Sequence, residues 1–139
     1  MSEYSQFETL IPVRPDDIDM NLHVHNSRYY DYVIAARYEQ MERCYNMSME
    51  AFLERGFSWF ARSAYIEHKR SLHLGDVAVV RTQIEELRSR GVKVWFEIHK
   101  QSDEKLAARG WFDYAMVSIE TGRPQTCLLY TSDAADDRC

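Results

Sequence analysis

The sequence predicts an α+β domain in which one long helix lies against a five-stranded antiparallel sheet. Two observations carry that prediction. Residues 27–45 repeat their apolar side chains at the 3.6-residue period of a helix, and four later stretches alternate at the period of two that marks strands. Short turns separate those strands, which favours antiparallel neighbours. One helix cannot cover both faces of such a sheet, but a sheet can wrap one helix.

The elements follow in order. Residues 7–13 read as a first strand ended by Pro15. A polar loop occupies about 15–25, and Asn26 or Ser27 suits the N-cap of the helix after it. On that helix Tyr30, Val33, Ile34, Met41, Cys44 and Tyr45 share one face. Arg28, Asp31, Glu39, Glu42 and Arg43 share the other, with Glu39 and Arg43 at supportive i,i+4 spacing. Arg37 falls inside the apolar face. A buried stem, with its head snorkelling or paired to a carboxylate, accounts for it. Residues 48–57 read as a short second helix stopped by Gly56.

Residues 58–70, 77–87, 91–101 and 105–119 read as four meandering strands. Val92, Val94, Phe96 and Ile98 alternate with Lys93, Trp95, Glu97 and His99, so one face is packed and the other wetter. Turns fall at Leu74-Gly75-Asp76, Ser89-Arg90-Gly91 and Ser102-Asp103-Glu104, and a last one at Glu120-Thr121-Gly122-Arg123 leads back toward the sheet. The pattern contains neither an internal repeat nor a second-domain boundary.

The polar loop concentrates the chemistry. Asp16, Asp17, Asp19, Asn21, His23, His25 and Asn26 fall within eleven residues, just before the long helix. Two readings compete. In one, Asp and Asn make turns and cap the helix. In the other, a carboxylate activates water while nearby donors orient a carbonyl.

Asp17-Ile18-Asp19-Met20-Asn21-Leu22-His23-Val24-His25-Asn26, followed by Tyr29, resembles the D-x-D-x-N-x-H-V-N-N-x-x-Y signature of hotdog-fold thioesterases. That family includes 4-hydroxybenzoyl-CoA thioesterase, related bacterial acyl-CoA thioesterases and plant acyl-ACP thioesterases. The resemblance spans about residues 7–124, and the loop is its most specific part. His25 departs from it, standing where the plant-type signature has the first Asn of the Asn-Asn pair.

The resemblance implies a hotdog fold, with the long helix as the sausage and the sheet as the bun. It implies a homodimer or tetramer, with sheets joined edge to edge and active sites at the interface. The implied activity is hydrolysis of acyl-CoA, or acyl-ACP, to the free acid without a cofactor. Asp19 matches the catalytic carboxylate, as general base or nucleophile. Asn21 and His23 match groups that hold water or the thioester oxygen, His23 also serving as a proton relay. Asn26, as N-cap or orienting group, and Tyr29 are candidates at the substrate. Asp17 is expected to be structural and Asp16 solvated. Lys69 and Arg70, before Ser71-Leu72-His73-Leu74-Gly75-Asp76, resemble the family's basic segment and suit CoA phosphates. Two rival functions remain: hydration or dehydration of an acyl thioester on the same fold, and non-catalytic acyl-CoA binding.

Composition narrows the partners. A net charge of −5 argues against nucleic acid, which needs a basic face. No apolar run reaches membrane-spanning length. The N-terminus lacks the basic start and apolar segment of a signal peptide, so a cytoplasmic protein is expected. Asp19, His23 and His25 have no second His or Cys cluster at ligand spacing, so no metal is expected. There is no Gly-x-Ser-x-Gly elbow, P-loop or dinucleotide fingerprint.

Cys44, Cys127 and Cys139 show neither metal spacing nor an even disulfide framework. Residues 127–139 resemble one reading frame of a sequencing-library adapter. On that reading residues 1–126 form the single domain and the natural chain is interrupted near Thr126. Without the tail the chain has 16 basic and 19 acidic side chains, a net charge of −3.

Overall fold

In the computed structural model, which describes residues 5–45 and 48–125, five strands form one antiparallel sheet around a long helix. The strands are β1 (Gln6–Pro12), β2 (Phe57–His68), β3 (Val77–Arg88), β4 (Gly91–Lys100) and β5 (Leu106–Ser118). The helices are α1 (Tyr29–Tyr45) and α2 (Met49–Glu54). This is the hotdog fold, and each predicted element is present within a few residues of its expected bounds. The readings of residues 127–139 and of the Tyr45 side chain lie outside what the structure describes.

The sheet order is β1-β3-β4-β5-β2. Only β3, β4 and β5 form the expected meander. β2 pairs with β5 at the opposite edge from β1, so residues 69–76 are not a hairpin turn but a crossing from one sheet edge to the other. The concave face is built in rows: Val80, Ile98 and Ala108 are neighbours across β3, β4 and β5, and Ile84, Val94 and Phe112 form another row. All six are buried. A register shift around Arg62 in β2 bends that edge, as a bulge does.

α1 packs Tyr29, Tyr32, Val33, Ala36 and Met41 into the core. Its buried arc is turned from the expected one: Tyr30 and Ile34 are only partly buried, while Arg37 and Gln40 are buried. Hydrogen bonds explain how polar residues sit there. Gln40 Nε2 donates to Thr9 Oγ1 at 3.0 Å, and Gln40 Oε1 accepts from Thr82 Oγ1. Arg37 Nη1 in turn donates to Thr82 Oγ1 at 3.4 Å. A helix–sheet seam satisfied in this way looks like a solvent face in the sequence.

The expected side-chain cap at Asn26 or Ser27 is not formed. α1 is instead entered through a 3-10 turn, Asn26–Arg28, whose first position follows His25 without a side-chain cap bond. Ser48 does cap α2, accepting from Ala51 N–H at 3.2 Å, and Gly56 ends that segment at φ +84°. After β5 the chain turns back, with Ser118 N–H donating to Arg123 O at 2.9 Å. Cys44 is buried on α1; Cys127 and Cys139, and with them the reading of the cysteine framework, lie outside the described residues.

Candidate active site

The polar loop folds into a compact turn centred on Asp19. The Asp19 N–H donates to His23 O at 2.8 Å and the Leu22 N–H to Asp19 O at 3.0 Å. Leu22 takes the left-handed conformation, φ +62°, which closes the turn. Asp19 Oδ1 accepts from the N–H of Asn21 at 2.8 Å and of His23 at 3.1 Å. The His23 amide bond is the largest influence on the carboxyl and lowers its pKa; desolvation opposes it, and the Asn21 amide reinforces it. The carboxylate is therefore held ionised. Its Oδ2 makes no hydrogen bond among the described residues.

Asp17 anchors the loop from below. It is 2% exposed, and its carboxylate pairs with Arg14 Nε at 2.9 Å and Arg28 Nε at 3.7 Å. Burial and a hydrogen bond with Asp17 push the Tyr32 phenol up to about 12. The Asp17 backbone carbonyl accepts from His25 N–H at 3.0 Å. The two signature aspartates thus divide the work: Asp17 fixes the loop to the core, and Asp19 faces outward.

A shallow polar cleft lies beside Asp19, lined also by His23, His25, Asn26, Ser27 and Ser71. Asn21 lines an adjoining open groove with Asp19 and His25. The amides of Asn26 and Ser27 open the 3-10 turn that leads into α1, where backbone N–H groups lack acceptors within the helix and the helix dipole is positive. An ionised carboxylate, uncommitted amides and a cleft are the parts that water-dependent acyl transfer needs.

The other predicted site residues are placed differently. Tyr29 is 1% exposed and sits in the core rather than on the cleft; its hydroxyl accepts from Leu72 N–H at 3.0 Å, and its ring meets His68 edge-on. Lys69 pairs with Glu67 at 2.9 Å, and Arg70 Nη1 donates to Leu106 O at 3.0 Å, both on the exposed start of the crossing. They adjoin Ser71 in sequence but do not line the cleft.

Sequence reading missed the contribution of that crossing. His73 bridges to His23 with rings 4.4 Å apart, and its N–H donates to Asp76 Oδ2 at 2.8 Å. Ser71 reaches the cleft from the same segment. The sequence clue was the i,i+3 spacing of His73 and Asp76 about Gly75, which suits a closed turn. Among the described residues no three His, Cys, Asp or Glu side chains form a metal-holding group.

Residues 13–128 match the sequence profile of the thioesterase-like superfamily, most of the chain. The chain belongs to that superfamily. Among solved structures this thioesterase-like chain is similar to the 1,4-dihydroxy-2-naphthoyl-CoA (DHNA-CoA) thioesterase of Staphylococcus aureus, with a TM-score of 0.83 and 17% identity, over 92% of this chain and 83% of that one. It is similar also to a hypothetical protein of Thermus thermophilus at TM-score 0.79 and 25% identity, over 86% and 89%. A third is the S. aureus hypothetical protein SAV2348, solved in complex with CoA, at TM-score 0.80 and 18% identity, over 91% and 79%. No curated protein matches the chain by sequence.

Proposed function

We propose that this thioesterase-like protein hydrolyses acyl-CoA to a free carboxylic acid and CoA, with Asp19 as the general base. One observation carries the proposal: Asp19 is held ionised by two backbone amides while its second oxygen stays uncommitted, next to the cleft. In the reaction Asp19 Oδ2 takes a proton from water as the water oxygen attacks the thioester carbonyl. The amides of Asn26 and Ser27 receive the developing oxyanion. The C–S bond then breaks, and the proton passes to the departing CoA thiolate.

Asn21 and His23 orient the water or the thioester oxygen. Lys69 and Arg70, on the exposed start of the crossing and outside the cleft lining, meet the CoA phosphates, a role supported by their exposure and charge. CoA rather than another thiol carrier is favoured because a neighbour of this fold was solved with CoA.

The active form is a homodimer joined through β2. That strand is twelve residues long, forms a sheet edge, and exposes Phe60 at 59% and Tyr65 at 49%. An edge of this kind invites pairing with a second copy.

The test is thiol release from a panel of acyl-CoAs by the native chain and by Asp19→Asn. Asn keeps the Oδ1 acceptor that closes the turn and removes only the base. A fall of roughly 100-fold is expected. Unchanged activity would remove Asp19 from the mechanism. Formation of 3-hydroxyacyl-CoA from enoyl-CoA without thiol release would replace hydrolysis by hydration. Binding of acyl-CoA without turnover would make the protein a carrier.

A further inference from the structure

The Asp19 loop pairs with the crossing as a short two-stranded ribbon. The Val24 N–H donates to Leu72 O at 2.8 Å and the Leu74 N–H to Leu22 O at 3.1 Å, which sets His23 and His73 opposite each other between those bonds. In an antiparallel ribbon such a pair makes no backbone bond of its own, and its two side chains emerge on one face at their closest approach. The imidazoles meet there edge-on, with centroids 4.4 Å apart and planes at 90°.

The two histidines have different neighbours. His23 lines the cleft, and its backbone N–H is one of the donors to Asp19 Oδ1. That amide bond is the largest influence lowering the Asp19 carboxyl, and the His23 ring acts in the same direction, within electrostatic reach of the carboxylate. His73 does not line the cleft. Its support comes from Asp76. The Asp76 Oδ2 lies 3.5 Å from His73 Nδ1, accepts from the His73 N–H at 2.8 Å and pairs with Lys100 Nζ at 3.7 Å. The Asp76 N–H returns to His73 O at 3.0 Å, closing the turn.

We propose that His73, held by Asp76, is a positioning residue for the hydrolysis: its ring fixes the rotamer of His23, so that His23 presents a ring nitrogen to the thioester oxygen or the attacking water. This rests on the thioesterase reading above and on the part His23 takes in it. Backbone pairing fixes the His23 Cα but leaves its two side-chain torsions free. Among the described residues the His23 ring makes no hydrogen bond, and the edge-on contact is what orients it. A ring already held in one rotamer does not lose that freedom as the transition state forms, which raises the rate rather than the affinity.

The experiment is a double-mutant cycle on the full chain, read as kcat and KM for thiol release from hexanoyl-CoA. His73→Ala leaves the ribbon and the Asp76 turn their backbone bonds, and His23→Ala leaves the amide that holds Asp19. In the native background His73→Ala is expected to lower kcat by about 10-fold with KM unchanged; in the His23→Ala background it should change neither. Equal losses in the two backgrounds, a loss carried by KM, or full activity in His73→Ala would overturn the inference while leaving the thioesterase reading intact. Should His73→Ala fail to fold, Asp76→Asn replaces it, keeping an acceptor for the His73 N–H and removing the charge beside Nδ1. A loss of about 3-fold in kcat, again absent from the His23→Ala background, is expected. If the native chain releases no thiol, the thioesterase reading fails, and NMR of the His23 ring protons, assigned by their loss in His23→Ala, decides the positioning separately. Movement of those shifts toward free-imidazole values in His73→Ala supports it, and unchanged shifts overturn it.

Discussion

The Tyr29 hydroxyl accepts a hydrogen bond from the Leu72 backbone N–H at 3.0 Å, joining the first turn of α1 to the crossing 43 residues later. The cleft has one wall on the loop that leads into that turn and the other on the crossing. Tyr29→Phe keeps the ring and leaves a buried N–H unpaired, which costs about 1–3 kcal/mol. Urea unfolding should show that loss. Thiol release should fall with it, as Ser71 and His73 lose their fixed position. Full stability in Tyr29→Phe would mean that water replaces the hydroxyl.

The two signature aspartates should separate stability from activity. Asp17→Ala removes the shared partner of Arg14 and Arg28 and is expected to cost roughly 1–2 kcal/mol. Both arginines can turn to water, so no buried charge is stranded. Asp16→Ala, on the exposed side of the same turn, should stay within about 0.5 kcal/mol. Comparable unfolding midpoints for the two would contradict the anchoring role of Asp17.

With Asp19 as the proposed base, its environment sets the expected acid limb of the pH profile. Its folded pKa lies below the ordinary value of 3.8, so the carboxylate is ionised above that pH and gains a proton only below it. Its contribution to folding runs the same way: present above 3.8 and lost as pH falls through the depressed value. The expected kcat/KM profile therefore has no limb from this carboxylate above about pH 4. An Asp19-dependent limb near neutrality would show that the group is not held as described.

Tyr114 acts at the other end of the scale. With a folded pKa of about 12 against an ordinary 10, the native state retains a proton that the unfolded state releases, so stability falls as pH rises from 10 toward 12. Tyr114→Phe should flatten that alkaline decline in thermal melts. It should not abolish it, because Tyr32 is raised to a similar value. An unaltered slope would show that the Tyr114 phenol is not raised by its partly buried setting.

Gly110 of β5 lies directly against the β2 backbone. A Cβ there would lie 1.8 Å from Tyr65 O and 3.0 Å from Ile66 Cα. The obstruction is backbone, so Gly110→Ala cannot be accommodated by a rotamer change and should cost at least about 2 kcal/mol. Hydrogen exchange should show the protection of β2 amides lost first. If the dimer forms through that edge, assembly should weaken in parallel.

Much of this was legible because period and turn chemistry are local. The alternation from Val92 to Ile98 set β4 and its buried face, and Gly56 marked the end of the short helix. Partner choice is not local. Nothing within residues 57–68 says that they pair with β5 rather than β3. The burial of Gln40 and Thr82 carried no local signal, because each satisfies its polarity in the other. Tyr29 read as a substrate contact because the acceptor role of its hydroxyl depends on Leu72, far along the chain. At the site, Asp19 and its loop neighbours were visible in sequence, whereas Ser71 and His73 arrive only through the crossing.

The sheet order also dictates a sequence of events during folding. Its edges, β1 and β2, are synthesised first, yet each waits for a strand made later: β1 for β3, and β2 for β5, the last of the five. Until that hairpin pair closes, α1 presents Tyr29, Tyr32, Val33 and Ala36 with little to cover them. Such non-local pairing slows folding and prolongs the life of sticky intermediates. The cleft beside Asp19 shares this schedule, because its second wall lies on the segment between β2 and β3. A nascent chain can carry the whole aspartate loop and still be inert until the β3-β4-β5 ribbon has formed.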